Sequence, residues 1–227
     1  MVLSLAQRIE QVQSRIAAAA ARAGRSYEDV TLIAVSKTVD RGVVDEAYAL
    51  GLREFGENRV QDSIAKYATP LPGDARLHMI GQLQSNKAGS AIKLFDVIQS
   101  VDRSSLVHAL EKHAASADRI VDVLIEVSIS GEEQKAGCPL CQVDDLTSLV
   151  LSSPRLHLHG FMTMAPYTAT AEEARPVFAG LRELRDRLQH DFGRTFPWLS
   201  MGMTNDFEVA IEEGATHVRV GRAIFAE

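Results

Sequence analysis

A theme that recurs eight times places the strongest constraint on this chain: a short apolar run, a loop and an amphipathic stretch. The runs lie at 31–37, 53–58, 76–82, 96–102, 122–129, 156–164, 198–203 and 217–221. Strands that are apolar on both faces and alternate with helices pair in parallel beneath those helices. Eight such units predict an α/β fold, a single (β/α)8 TIM-type barrel. The alternative, an open doubly wound sheet, needs a glycine-rich first turn, which segment 36–42 lacks.

An extra N-terminal helix is expected before the first run. Along 5–23 the apolar residues recur at steps of four, three and four, on one face of a helix that Gly24 ends. Only six residues follow the last run, so this helix is expected to take the place of the missing outer helix. No linker rich in Pro, Gly or Ser interrupts the chain, so we expect one domain, 1–227.

Composition excludes several classes of protein. Hydrophobic residues make up 46% of the chain, enough for a full core, but no apolar run approaches the roughly 20 residues of a membrane span. The first residues lack the basic region and apolar stretch of a secretory signal. A net charge of −6 argues against a general nucleic-acid-binding surface, although one local phosphate pocket is compatible with it. We expect a cytoplasmic protein without nucleic-acid or membrane partners.

The two cysteines, Cys138 and Cys141, form a CxxC pair, which can be a redox centre or half of a zinc site. The sequence has no second CxxC, and His157 and His159 alternate within an apolar run as in a strand. We therefore interpret the pair as two thiols in a surface loop.

Lys37 is the first candidate for chemistry, because active sites of such barrels lie at the carboxyl ends of the strands. It closes the first run, on the same face as Ile33 and Val35. If that face points into the barrel, burial favours the neutral amine, which is a nucleophile toward an aldehyde. The alternative is a lysine that extends into solvent from a strand end.

The loops after the seventh and eighth runs suggest a phosphate site, as is common in these barrels. The candidate residues, which offer hydroxyl groups or a close backbone approach, are Ser200, Gly202, Thr204 and Gly221. Thr204 or Asn205 is also expected to cap the next helix. We expect Asp206 to turn away from a phosphate and to complement the helix dipole.

Arg219 lies two residues before Gly221, so the two face the same side of a strand. A buried arginine needs a partner, and a pyridine nitrogen is one that requires no carboxylate. Because arginine keeps its proton, it leaves that nitrogen unprotonated, which suits racemisation or carriage better than transamination. A structural Arg–carboxylate pair is the alternative.

Seven segments in order along the chain resemble one known family, the pyridoxal phosphate homeostasis proteins, which have an alanine-racemase-like barrel. The segments are AVSKT, FGENRVQD, HMIGQLQSNK, SVD, GFMTMAP, LSMGMTND and VRVGRAIF. The likeness extends from about residue 5 to residue 226. Pyridoxal phosphate is therefore the cofactor that the resemblance implies.

The resemblance also implies roles for individual residues. Lys37 is implied to form the Schiff base, and Arg219 to face the pyridine nitrogen. The residues implied to hold the phosphate are Ser200, Thr204 and Gly221. Asn58 and His78 are implied to line the pocket, although a hydrogen-bonded core histidine is an equal interpretation of His78.

Two positions depart from the family pattern. Ser128 stands where the family usually has Asn, and its hydroxyl donates a single hydrogen bond, so a role that needs the amide is not carried over. Thr204 stands where the family tends to have Ser, which preserves the hydroxyl.

Two functions compete for this site. One is a non-catalytic carrier for vitamin B6 and amino-acid homeostasis, with pyridoxal-phosphate-dependent apoenzymes as recipients. The other is a racemase or lyase, which needs a proton donor on each face of the cofactor. Alanine racemases take a tyrosine base from a second domain. We see no such domain, and Tyr167 is the one tyrosine expected near the pocket. We therefore favour a carrier, and a monomer.

A third class, a structural protein with a vestigial pocket, predicts no bound cofactor.

Overall fold

A closed ring of parallel strands forms the centre of the computed structural model, which describes residues 3–131, 136–166 and 170–226. The strands in these residues are β1 (Thr31–Val35), β2 (Glu54–Glu57), β3 (Arg76–Met79), β4 (Val97–Val101), β5 (Val121–Ser128), β6 (Cys138–Pro139), β7 (Leu156–Met162), β8 (Trp198–Met203) and β9 (His217–Val220). All except the two-residue strand β6 belong to the ring. β6 pairs with the end of β5.

The ring closes because β4 pairs with β5 while β9 pairs with β1. Every pair is parallel, so the predicted barrel is confirmed and an open sheet is excluded. Except at 198–203, the predicted runs extend beyond the observed strands at their carboxyl ends, as at 76–82, where β3 stops at Met79. Those last residues leave the sheet and form the loops of the site.

Helices surround the ring. They are α1 (Leu5–Arg22), α2 (Arg41–Ala49), α3 (Val60–Lys66), α4 (Ala88–Leu94), α5 (Ser104–Ser116), α6 (Val143–Leu151), α7 (Arg175–Phe192), α8 (Phe207–Glu212) and α9 (Arg222–Phe225). Within the described part of the chain, none of them is both long and apolar enough to cross a membrane.

The leading helix α1 packs against α8 and α9, in the place expected for it. It begins with a capping box, in which Ser4 and Gln7 bond each other's backbone N–H groups. Arg8 Nε then donates to the carbonyl oxygen of Ile224 at 2.6 Å, which ties α1 to α9.

Two separate layers of side chains are buried. Leu32 and Ala34 of β1 belong to the apolar layer between ring and helices, whereas Ile33 lies inside the ring. A Cβ atom on Gly56 of β2 would be 3.0 Å from Ile33 Cγ2, so glycine gives that side chain its room. The interior also contains polar side chains, and these position the site.

Candidate functional site

The strand register brings together the carboxyl ends of β1, β8 and β9. A Cβ atom on Gly221 would lie 3.1 Å from the carbonyl oxygen of Val35, so β1 and the end of β9 are in close contact. Arg219 of β9 is paired with Met203 of β8. Lys37 follows Val35 by two residues, so its backbone lies next to the turn that leaves β9, one strand away from the turn that leaves β8.

Lys37 itself lies in the turn after β1, and its side chain is exposed. The expectation that burial would desolvate its amine is wrong, because β1 ends at Val35 and Lys37 is already beyond the covered interior. Within the described residues its amine has no hydrogen-bond or ion-pair partner. The position matches that of a lysine extending from a strand end, and it leaves the amine accessible.

A buried cluster around Glu57 fixes the backbone just before Lys37. Glu57 Oε1 accepts hydrogen bonds from Ser36 Oγ (2.8 Å), Lys66 Nζ (2.8 Å) and Tyr67 Oη (2.9 Å). Lys66 Nζ also donates to the carbonyl oxygen of Ser36 at 2.6 Å. Burial and the charge of Glu57 raise the pKa of Tyr67, so its hydroxyl stays protonated and donates. The cluster therefore holds Ser36, and with it the start of the turn that carries Lys37.

A second buried network crosses the interior of the barrel and includes Arg219. Arg219 Nη1 donates to Ser200 Oγ (2.7 Å), which donates to Gln99 Oε1 (2.7 Å). Gln99 Nε2 donates to His78 Nδ1 (2.9 Å), so His78 Nε2 carries the proton and donates to Glu54. Every donor points the same way, from the guanidinium toward the carboxylate, so each hydrogen bond in the chain is compatible with the next.

This network changes the roles of two predicted site residues. Ser200 is fully buried and its hydroxyl already serves two neighbours, so we reassign it from phosphate binding to the support of Arg219. His78 is also fully buried with both ring nitrogens hydrogen-bonded, as in the core-histidine interpretation. Neither Gln99 nor Glu54 was singled out from the sequence, although each is a polar residue inside a predicted strand.

Arg219 is 4% exposed, and its Nη2 donates to the carbonyl oxygen of Thr163 at 2.9 Å. The structural Arg–carboxylate pair is not observed, since no carboxylate among the described residues lies within ion-pair distance. Burial lowers the pKa of Arg219 to about 10, against the charges of Glu126 and Asp206, so the guanidinium stays charged at neutral pH.

The turn after β8 depends on Gly202. Its φ is +90°, and a Cβ atom there would lie 2.6 Å from Cβ of Ala210 and 2.8 Å from Cα of Phe207. Glycine is required because β8 ends directly over α8. Thr204 follows and is half-buried, and its hydroxyl has no hydrogen-bond partner in the described ranges. That hydroxyl is available to an oxygen of a phosphate.

The cap of α8 differs from the prediction. Asp206 precedes the first helical residue, so the expected capping by Thr204 or Asn205 is wrong. Asp206 Oδ1 accepts from the N–H of Met203 at 2.6 Å and thereby closes the turn, while the residue itself stands at the N-terminus of α8. Burial raises the pKa of Asp206 although that N–H lowers it.

Glu126, a carboxyl at the end of β5, was missed in the sequence. It is 1% exposed, and its Oε1 has no hydrogen-bond partner in the described part of the chain. Burial and the charge of Asp102 raise the pKa of Glu126 to about 7. A charged residue within the apolar run 122–129 was the available signal. Buried, unpaired acids with shifted pKa values are typical of functional sites.

The remaining predicted residues lie around the same end. Asn58 is half-buried and borders a cleft of about 260 Å³ together with Gln82 and Lys87. Ser128 ends β5 and is half-buried. Tyr167, the tyrosine expected near the pocket, lies outside the described residues.

Contrary to the interpretation from the sequence, the two cysteines do not both lie in a surface loop. Cys138 is buried in β6, paired with Val127, while Cys141 is exposed. Burial raises the pKa of the Cys138 thiol to about 11, which opposes redox chemistry or metal binding through its thiolate.

Comparison with known proteins connects this geometry to a family. Residues 8–227 match the family model described as alanine racemase, N-terminal domain. A pyridoxal phosphate homeostasis protein of Aquifex aeolicus (strain VF5) is 42% identical over 225 residues, which cover 99% of each chain. The Escherichia coli (strain K12) protein of the same name is 38% identical, over 97% of this chain and 95% of its own.

Solved structures agree. PipY of Synechococcus elongatus PCC7942, solved with PLP bound, has a TM-score of 0.86 at 35% identity and covers 98% of this chain and 100% of its own. A structure described as an unknown protein from Bifidobacterium adolescentis has a TM-score of 0.90 at 35% identity, over 99% and 98% of the two chains. Sequence and structure thus agree over nearly the whole length, and this chain belongs to the family of pyridoxal phosphate homeostasis proteins.

Proposed function

We propose that this chain binds pyridoxal phosphate at the carboxyl end of the barrel, where Lys37 holds it as a Schiff base. The protein acts as a carrier in vitamin B6 and amino-acid homeostasis, without robust catalysis. The observation that carries this proposal is the register of β9 between β1 and β8, which groups an exposed amine, a buried guanidinium and two turns. The PLP-bound structure of PipY and the names of the curated relatives support it.

The residues at this opening fit the parts of the cofactor. The amine of Lys37 is exposed and lacks a described partner, as a reaction with an aldehyde requires. The hydroxyl of Thr204 and the backbone at Gly221 offer donors to a phosphate. Arg219 uses two of its N–H groups and has others left for a ring nitrogen. Bound pyridoxal phosphate supplies an aldehyde that condenses with an amine, and a ring that withdraws electrons.

The hydrogen bonding of Arg219 favours a carrier function over a catalytic one. A guanidinium that keeps its proton donates a hydrogen bond to a ring nitrogen but does not protonate it, which limits electron withdrawal by the ring. The interior network holds Arg219 in one orientation through Ser200. A carrier needs the cofactor to be held in one orientation, and it needs no proton transfer to or from the cofactor.

The alternative function is a pyridoxal-phosphate-dependent racemase or lyase, and one observation favours it. The pKa of Glu126, raised to about 7 by burial, is suited to a general acid or base at neutral pH. Incubation of the loaded protein with amino acids in heavy water distinguishes the two functions. Steady exchange of the α-hydrogen that is lost in Glu126→Gln would replace the carrier proposal.

Borohydride reduction followed by peptide mass spectrometry tests the proposal directly. We expect a yellow protein in which reduction fixes one cofactor on the peptide that contains Lys37. Lys37→Ala removes this adduct, whereas Lys93→Ala, a change of an exposed lysine on α4, keeps it. An adduct that persists unchanged in Lys37→Ala contradicts the assignment.

Three finer expectations belong to the same proposal. The recipients of the cofactor are pyridoxal-phosphate-dependent apoenzymes, the protein is a monomer, and residues 1–227 unfold as one domain. Light scattering coupled to size exclusion tests the monomer, and a single unfolding transition followed by two probes tests the single domain.

A further inference from the structure

Three side chains with metal-binding groups meet at the amino end of the barrel, opposite the cofactor site. Asp122 near the start of β5 is paired directly with His157 near the start of β7. The register shifts just afterwards, at a bulge that contains His159. Bulges of this kind redirect side chains. One ligand atom from each of the three residues lies within 4.8 Å of the other two.

The geometry of these atoms is that of shared ligands. Asp122 Oδ1 is 2.8 Å from His159 Nε2 and 3.3 Å from His157 Nδ1. His159 Nε2 is buried, and its contact with Asp122 is the one polar contact it makes among the described residues. Around a tetrahedral ion with bonds of roughly 2.0–2.1 Å, ligand atoms lie about 3.3 Å apart. The separation of Asp122 from His157 equals this value, and the shorter contact with His159 has to lengthen by about 0.5 Å to admit an ion.

The surroundings hold the ligands in place. The ring of His159 stacks on Trp198, with centroids 4.2 Å apart and planes 16° from parallel. Arg76 Nη2 donates to Asp122 Oδ2 at 2.6 Å, which leaves Oδ1 to the histidines. Outer hydrogen bonds of this kind orient ligating carboxylates. The side chain of His157 is 62% exposed, so an ion can enter from solvent and keep water as further ligands.

We propose that Asp122, His157 and His159 bind a divalent transition-metal ion such as Zn²⁺ at the amino end of the barrel. Two imidazole nitrogens and one carboxylate oxygen suit Zn²⁺, Co²⁺, Ni²⁺ or Cu²⁺, whereas Mg²⁺ and Ca²⁺ prefer oxygen ligands. The ion ties β5 to β7 and so stabilises the fold. None of these residues belongs to the proposed cofactor site, so either proposal can fail without the other.

Isothermal titration of tag-free protein with Zn²⁺ tests this site. The Cys141→Ser background is used so that the cysteine pair cannot contribute. We expect one ion per chain, and a rise in melting temperature with Zn²⁺ because the ion binds the folded state. His159→Ala and His157→Ala weaken binding by at least about tenfold, the loss that even outer-shell changes cause. His190→Ala, a change of an exposed histidine on α7, leaves binding unchanged.

Three results would overturn the proposal. They are the absence of Zn²⁺ binding, binding that persists in His159→Ala, and a thiolate charge-transfer band when Co²⁺ replaces Zn²⁺ in the unmodified protein. Circular dichroism shows independently that each variant is folded, so a loss of metal binding is not mistaken for unfolding.

Discussion

Arginine side chains have different partners at the two ends of the barrel. At the amino end Arg76 pairs directly with Asp122 at 2.6 Å, and its guanidinium lies 5.4 Å above the ring of Trp198. At the carboxyl end Arg219 bonds a hydroxyl and a carbonyl oxygen but no carboxylate among the described residues. The charge of arginine is thus balanced by a neighbouring carboxylate at the amino end, whereas at the carboxyl end the guanidinium bonds only uncharged groups among the described residues.

The two ends also differ in their aromatic content and in the exposure of their polar groups. Aromatic rings fill the amino end, where Trp198 contacts both His159 and His217. Towards the carboxyl end, the exposed amine of Lys37 and the buried carboxyl of Glu126 have no described partners. A buried polar group without a partner costs free energy, so the unpaired carboxyl oxygen of Glu126 indicates binding rather than stability.

Exchange of the two arginines for glutamine gives the largest expected effect. Arg219→Gln should weaken cofactor binding by about tenfold to a hundredfold, because a hydrogen bond from a charged donor contributes about 1.5–3 kcal/mol. Arg76→Gln should leave cofactor binding unchanged, since it acts at the other end. Fluorescence titration with pyridoxal phosphate measures both. Equal losses in the two variants, or unfolding of Arg219→Gln, would erase the proposed difference between the ends.

The change Gly202→Ala should have the next largest effect, a loss of about 3 kcal/mol in the free energy of unfolding. Part of this loss is the positive φ, and the rest is the contact at 2.6 Å with Ala210. Gly193→Ala is the matched control: its φ is +59° but no atom lies within 4 Å of the added Cβ, so we expect about 1 kcal/mol. Urea unfolding compares them. Equal losses would mean that crowding over α8 is unimportant.

The repeat of strands and helices was enough to predict the ring, because period and order follow directly from the apolar pattern. The sequence also placed Lys37, Arg219 and Gly221 at strand ends, and the register brings them together. The sequence left the exposure of Lys37 open between two alternatives, because the pattern does not show that β1 stops at Val35.

Hydrogen bonds between residues that are far apart in the sequence could not be predicted. Ser200 bonds Gln99, a residue 101 positions away, and no local pattern links them. The hydroxyl therefore looked available to a phosphate. Likewise Tyr167 was the one tyrosine expected near the pocket, although it is the hydroxyl of Tyr67 that reaches Glu57 in the buried cluster. Side-chain networks depend on packing across the barrel, which a single sequence does not record.

Glu126→Gln should remove a pH dependence of stability. The pKa of Glu126 is raised to about 7 in the folded state, so its stabilising protonated form is lost as pH rises through 7. Relative to the variant, the wild-type protein should lose roughly 2–3 kcal/mol between pH 5 and pH 9. Glu183→Gln, at an exposed position of α7, serves as control. Parallel stability curves for wild type and Glu126→Gln would show that the carboxyl titrates normally.

The smallest effect is expected where a hydrogen bond supports, from a distance, the turn that carries Lys37. Tyr67→Phe removes one of the bonds to Glu57, and burial makes this loss worth about 1 kcal/mol of unfolding free energy. Tyr48→Phe removes a comparable bond to Asp74 on the surface and should change nothing measurable. The rate of adduct formation on Lys37 should fall slightly in Tyr67→Phe alone. If both variants behave like wild type, the buried cluster does not hold the turn, and the accessibility of the amine at the carboxyl end depends on the strand register alone.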